Sequence, residues 1–140
     1  MIRDFEFAVE WAYLQTVGYF DLGSKGTEMG IKAEEYDRVC VLTIDGDLSG
    51  ENARAAASIL EEKSEHQRIV EFVIDLSKCG FIDSEGLEIL LSMKRRCEDM
   101  FGQIKLAHLD DNCRTILQIT RLEHRFELHR DLTSALKTMR

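Results

Sequence analysis

The stretch CGFIDSEGLEILL, Cys79 to Leu91, sets one hydroxyl, Ser84, between two carboxylates, Asp83 and Glu85, with Gly86 and an aliphatic run directly after. Three chemistries use a hydroxyl so placed. As a nucleophile, Ser84 needs a base within hydrogen-bond reach and an oxyanion site. It stands in no G-x-S-x-G turn, and no histidine falls in an obvious partner loop. His108 ends a later strand at the same expected sheet edge, where a histidine is more often structural or exposed. The expectation is therefore a protein that is not an enzyme. As a cap, Ser84 or Asp83 would accept a bond from the backbone of a starting helix, with Glu85 complementing its dipole. As a target, an exposed hydroxyl at a helix start is open to a modifying enzyme. Gly86 fits a plain cap less well, because glycine in a first turn weakens a helix by about 1 kcal/mol. Close backbone approach, by a partner or by the loop at Gly46, would account for it.

Other chemistry-bearing residues are dispersed. Cys40, Cys79, Cys97 and Cys113 form no CxxC pair, and in a reducing cytosol they read as free, mostly buried thiols. His66, His108, His124 and His129 lack a spacing that joins them to cysteines or acids, so neither a metal site nor a cofactor is expected. A net charge of −8 argues against nucleic acid, which needs a concentrated basic face. The densest basic run, Lys94-Arg95-Arg96, has acids nearby and reads as a solvated helix face. No apolar run reaches bilayer length, and MIRDFEFAVEW lacks the basic start of a signal peptide, so a cytoplasmic location without membrane contact is expected.

The elements that must position Ser84 alternate regularly. GIKAEEYDRVCVLTI reads as two short strands joined by a tight turn at Tyr36-Asp37-Arg38, the second apolar on both faces. After the turn cluster DGDLSG, a helix carries Ala53, Ala56, Ala57 and Leu60 at helical spacing, with Ser49 or Gly50 as its cap. RIVEFVIDL is a nearly continuous apolar run ending at Leu76, as a strand covered on both faces would be. The helix after Ser84 has the apolar set Leu87, Leu90, Leu91, the Lys94 stem, Cys97 and Phe101, with Gly102 as its stop. QIKLAHL is the next strand, and DDNCRTILQIT a helix with Cys113, Ile116, Leu117 and Thr120 on one face. A short strand at Phe126–Leu128 and a last helix capped by Asp131 complete the pattern. Repeated βα units imply right-handed crossovers between parallel strands. The expected fold is one α/β domain over residues 29–140, with a mixed sheet of four to five strands and helices packed against it. Residues 1–28 differ, holding Phe5, Phe7, Trp11, Tyr13, Tyr19 and Phe20. They are expected to form a helical extension that packs on the domain or makes a homodimer or partner contact.

From about Gly30 to Met139 the chain resembles a STAS domain of the anti-sigma factor antagonist family. The likeness rests on DLS…GFIDSEGL and on ILQITRLEHRFELH. It implies partner switching: the unphosphorylated antagonist binds an anti-sigma factor, often a serine kinase of the histidine-kinase-like ATPase fold, and frees the sigma factor. The kinase phosphorylates the serine after the motif aspartate, and a PP2C-type phosphatase reverses this. Matched residue by residue, that serine is Ser84, with Asp83, Gly86 and Leu87 also in the motif. The resemblance places partner binding at Asp83, Glu85, Gly86 and Leu87 and at the loop containing Gly46, Asp47 and Ser49. Three positions depart from the pattern. Glu85 replaces a second serine, Ser49 replaces an aspartate, and Arg121 stands where a glycine usually ends the third helix. The alternative that these departures keep open is a STAS scaffold without phosphorylation, an adaptor subunit of a transporter or sensory complex.

Overall fold

The computed structural model describes residues 30–139. The expected helix and dimer contact of residues 1–28, and the boundary before residue 29, lie outside the described residues. Strands β1 (Gly30–Tyr36) and β2 (Val39–Asp45) form an antiparallel hairpin in which Tyr36 pairs Val39. Its two turn residues, Asp37 and Arg38, have φ of 52° and 74°. That is the left-handed pair a two-residue hairpin needs to match the strand twist. Next come helix α1 (Gly50–His66), β3 (Glu71–Lys78), helix α2 (Ser84–Asp99) and β4 (Gln103–Ala107). Helix α3 (Asp111–Ile119), a 3₁₀ turn (Glu123–Arg125), β5 (Glu127–His129) and helix α4 (Leu132–Lys137) follow.

The five strands lie in sequence order, with β1 antiparallel and β2 to β5 parallel. The sheet is mixed, as expected, and β3 extends two residues beyond Leu76 to Lys78. Period-two alternation divides its side chains between two cores. Cys40, Leu42, Ile44, Phe72, Ile74, Leu76, Ile104 and Leu106 pack against Ala53, Ala56 and Leu60 of α1, Leu87, Leu90, Met93 and Cys97 of α2, and Cys113 and Leu117 of α3. On the other face Val39, Val41, Val73 and Ala107 are covered by Ala135, Met139, Leu132 and Leu136 from α4 and its end. Asp131 caps α4 as expected, accepting the Ser134 amide at 2.8 Å. Lys105, buried on the α4 side, donates to Thr138 and to Glu127 Oε2 at 3.2 Å.

One helix end differs from the sequence reading, and another bears a strain. Phe101 does not join the apolar face of α2; it is 96% exposed with φ 64°, and Met93 fills that face instead. The Gly102 amide donates to the Cys97 carbonyl and the Phe101 amide to the Glu98 carbonyl, a Schellman ending whose left-handed residue is the phenylalanine. Gly102 is required for a different reason: a Cβ there would lie 1.9 Å from the Val70 carbonyl oxygen. At the end of α3, Arg121 takes the left-handed conformation, φ 63°, within the same pattern of bonds from Leu122 to Leu117 and from Arg121 to Gln118. It therefore bears the strain that glycine would avoid.

Candidate functional site

Because β2 and β3 are parallel neighbours, the chain leaves both at the same sheet edge. The segment after β2 then continues alongside the segment after β3. Gly46, with φ 110°, donates to the Lys78 carbonyl at 3.1 Å, and Leu48 donates to Phe81 at 2.9 Å. Leu48 pairs with Ile82 as a further parallel bridge, and its carbonyl accepts the Asp83 amide. Residues separated by more than thirty positions are thereby locked together: the loop of Gly46, Asp47 and Ser49 abuts the start of α2.

Asp83, not Ser84, is the cap. Its extended backbone sets Oδ1 to accept the Gly86 amide at 2.7 Å, and its carbonyl accepts the first helical bond, from Leu87. Ser84 is the first helical residue and is exposed, so its hydroxyl is not consumed by capping. Glu85 pairs with Arg54 of α1, both side chains being partly exposed. Gly86 is buried, and a Cβ on it would stand 2.1 Å from the Leu48 carbonyl oxygen. The close approach expected of this glycine is thus made by the Gly46–Ser49 segment. Leu87 is buried in the main core, where it anchors the first turn from below. Asp47 is exposed, while Ser49 precedes α1 without forming a side-chain cap bond.

The loop's real fastener is Asn52, which the sequence reading passed over. It is buried and donates from Nδ2 to the Asp47 carbonyl at 2.9 Å and the Asp45 carbonyl at 3.4 Å. An amide side chain in a first turn directly after DGDLSG was its only local signal. Phe81, 45% exposed, is a second omission; it adds an apolar group beside the helix start. The 79–81 loop is also tied to α3, because Asn112 Nδ2 donates to the Gly80 carbonyl at 2.6 Å and Cys113 Sγ to the Cys79 carbonyl at 3.5 Å.

At this edge Asp47, Phe81 and Ser84 are exposed. His108 donates its amide to the His129 carbonyl at 3.2 Å. No hydrogen bond among the described residues links His108 to Ser84. Among the described residues no cluster of three or more His, Cys, Asp or Glu side chains could hold a metal, and no helix is long and apolar enough to cross a membrane.

Comparison with known proteins places this architecture. The family profile of the STAS domain matches residues 30–135. No curated protein sequence matches the chain significantly. Among solved structures, it is similar to a candidate anti-sigma factor antagonist of Thermotoga maritima, with TM-score 0.72 and 17% identity over 78% of this chain and 93% of that one. An anti-sigma factor antagonist from Mycobacterium paratuberculosis gives TM-score 0.68 and 25% identity over 78% and 92%. The anti-sigma factor antagonist SpoIIAA in its unphosphorylated form gives 0.66 and 17% over 76% and 93%.

Proposed function

The chain belongs to the STAS domain family, and on that premise we propose that it is a phosphorylation-controlled anti-sigma factor antagonist with Ser84 as the modified residue. The observation that carries this reading is the division of labour at the start of α2. Asp83 takes the cap bond and leaves the Ser84 hydroxyl exposed on a rigid helix end. The antagonists among its structural neighbours, one of them solved in both unphosphorylated and phosphorylated forms, lend support. The partner in this reading is an anti-sigma factor that is also a serine kinase of the histidine-kinase-like ATPase fold, with a PP2C-type phosphatase as the reversing enzyme. It docks on Asp83, Ser84 and Glu85 and on the exposed Asp47 of the neighbouring loop. Gly86, Leu87 and Gly46 shape that surface from within.

Charge supplies the switch. A phosphate on Ser84 adds about −1.5 to −2 charges at neutral pH. The α2 dipole offsets part of that within the domain, but an acidic partner surface gains no such relief. Like charges across a partly dehydrated interface cost several kcal/mol, and about 1.4 kcal/mol is tenfold in affinity. One modification therefore empties the site without any rearrangement of the fold.

Incubation with a candidate kinase and ATP, followed by mapping of phosphate by mass spectrometry, tests the assignment. Phosphate is expected on Ser84 and absent in Ser84→Ala. Ser84→Asp is expected to bind the kinase at least about tenfold more weakly than Ser84→Ala. Efficient phosphorylation that survives Ser84→Ala removes the site, and equal affinity of the two variants removes charge repulsion. A second reading, an adaptor that is never phosphorylated, is favoured by Glu85 at the motif's second serine. It predicts tight partner binding that neither variant changes.

A further inference from the structure

Beneath the same loop two thiols meet. Cys79 follows the end of β3 and Cys113 lies in the first turn of α3, after the neighbouring strand β4, so both fall at one sheet edge. Cys113 Sγ donates to the Cys79 carbonyl at 3.5 Å, and Cys79 Sγ donates to the Phe81 carbonyl at 3.3 Å. We propose that Cys79 and Cys113 form a reversible disulfide under oxidation by a hydroperoxide, and that closing it re-seats the 79–81 loop leading into Ser84. The inference is independent of whether Ser84 is phosphorylated.

The remaining cysteines mark the contrast. Burial pushes Cys40 and Cys97 up to about 12, which leaves them as inert thiols. Cys79 is instead held below the ordinary thiol value, chiefly by its contact with the Cys113 thiol, which outweighs burial. Cys113 is pushed up by the same bond and keeps its proton. The two opposite shifts favour Cys79 as the attacking sulfur and Cys113 as the resolving thiol, the arrangement a redox-sensing pair requires. Cys79 is buried, but it lies between exposed Lys78 and exposed Gly80, one residue below the surface. At Gly80 the nearest neighbour is Asp110 Oδ2, 4.0 Å from where a Cβ would stand, so the turn over Cys79 is not tightly packed on that side.

In the first step the Cys79 sulfur attacks one hydroperoxide oxygen and the O–O bond breaks. The departing oxygen takes the thiol proton and leaves as water or an alcohol, and Cys79 becomes a sulfenic acid. The Cys113 sulfur then attacks the Cys79 sulfur, the S–O bond breaks, and water leaves with the Cys113 proton. Two thiols lose two protons and two electrons, and one hydroperoxide is reduced. The product lacks both S–H donors, so the Phe81 and Cys79 carbonyls each lose a bond that now holds the loop.

Treatment of the full chain with hydrogen peroxide, then peptide mapping without reductant, tests this. A Cys79–Cys113 cross-linked peptide is expected, two hydrogens lighter than its parts and restored by dithiothreitol. Amide exchange across residues 79–87 is expected to change about tenfold between the two forms. Both thiols still alkylatable after treatment, or oxygen added without a cross-link, overturns the disulfide. A closed disulfide with unchanged exchange overturns its effect on the loop. Cys113→Ser is expected to stop at a Cys79 sulfenic acid that dimedone traps; should that variant misfold, the wild-type peptide map decides alone.

Discussion

Position 86 shows how one residue type can serve the neighbouring chain instead of its own helix. Alanine in place of Gly86 would gain about 1 kcal/mol of helix propensity. It would also drive a Cβ to 2.1 Å from the Leu48 carbonyl oxygen, a backbone atom held by its own strand pairing. Overpacking of that kind costs about 3 kcal/mol, so strain wins by about 2 kcal/mol. Gly86→Ala is therefore expected to lower the denaturant midpoint, whereas Gly80→Ala, whose Cβ would meet only Asp110 Oδ2 at an ordinary 4.0 Å, should stay within about 0.5 kcal/mol of wild type. Equal midpoints for the two variants would mean that the Gly46–Ser49 segment yields freely and is not locked to α2.

Among the elements, the contact between α1 and α2 explains how a glutamate can stand where the family pattern has a second serine. Arg54 of α1 reaches Glu85 and compensates its charge, so Glu85 is a weak imitation of a phosphate. Each side chain is more than a third exposed, which limits the pair to well under 1 kcal/mol of stability after solvent screening. Its effect should instead register in binding. Arg54→Ala is expected to weaken the proposed kinase complex roughly threefold, and adding Glu85→Gln to restore it. Calorimetric titration of the single and double variants would show this; a double variant no better than Arg54→Ala would mean that Arg54 contacts the partner directly. Elsewhere in the same pair of helices Arg96 bridges Glu61 and Glu65. Burial still raises the Glu61 pKa against the pull of Arg96, so that ion pair does not fully offset its desolvation.

For the whole molecule, these shifts divide the response to acid between the two faces of the sheet. Asp131, the cap of α4, is held low mainly by the backbone bond from Ser134. Glu127 is opposed by burial, yet bonds from Lys105 and His129 bring its pKa below the ordinary value. A carboxylate lowered in the folded state contributes stability above its unfolded pKa, about 4, and loses that contribution as pH falls through the folded value. Glu61, raised on folding, changes in the opposite sense and favours the folded state as pH falls. Acid should therefore loosen α4 and its cover over Val41, Val73 and Ala107 before it loosens the α1–α2 layer. Hydrogen exchange followed from about pH 6 to pH 3 should lose protection first in residues 132–139. Earlier loss in α1 and α2 would reverse this order.

Local pattern alone determined the alternation of strands and helices, the hairpin at Asp37-Arg38, the two-faced burial of β2 and β3, and the cap at Asp131. These depend on periodicity and on bonds spanning three or four residues, which a linear reading can carry. The STAS likeness was legible for the same reason, since its motif is one contiguous strand end, loop and helix start. Tertiary structure decided which of two adjacent polar residues would cap α2, and so freed the Ser84 hydroxyl. It also sent Phe101 outward, set Asn52 beneath the Gly46–Ser49 loop, joined Arg54 to Glu85 and brought Cys79 against Cys113. Most of these contacts link residues far apart in the chain, so they exist only once the parallel register of β2, β3 and β4 has aligned their ends at one edge. Phe101 turns outward because Gly102 must press against Val70, a requirement that no helical periodicity contains.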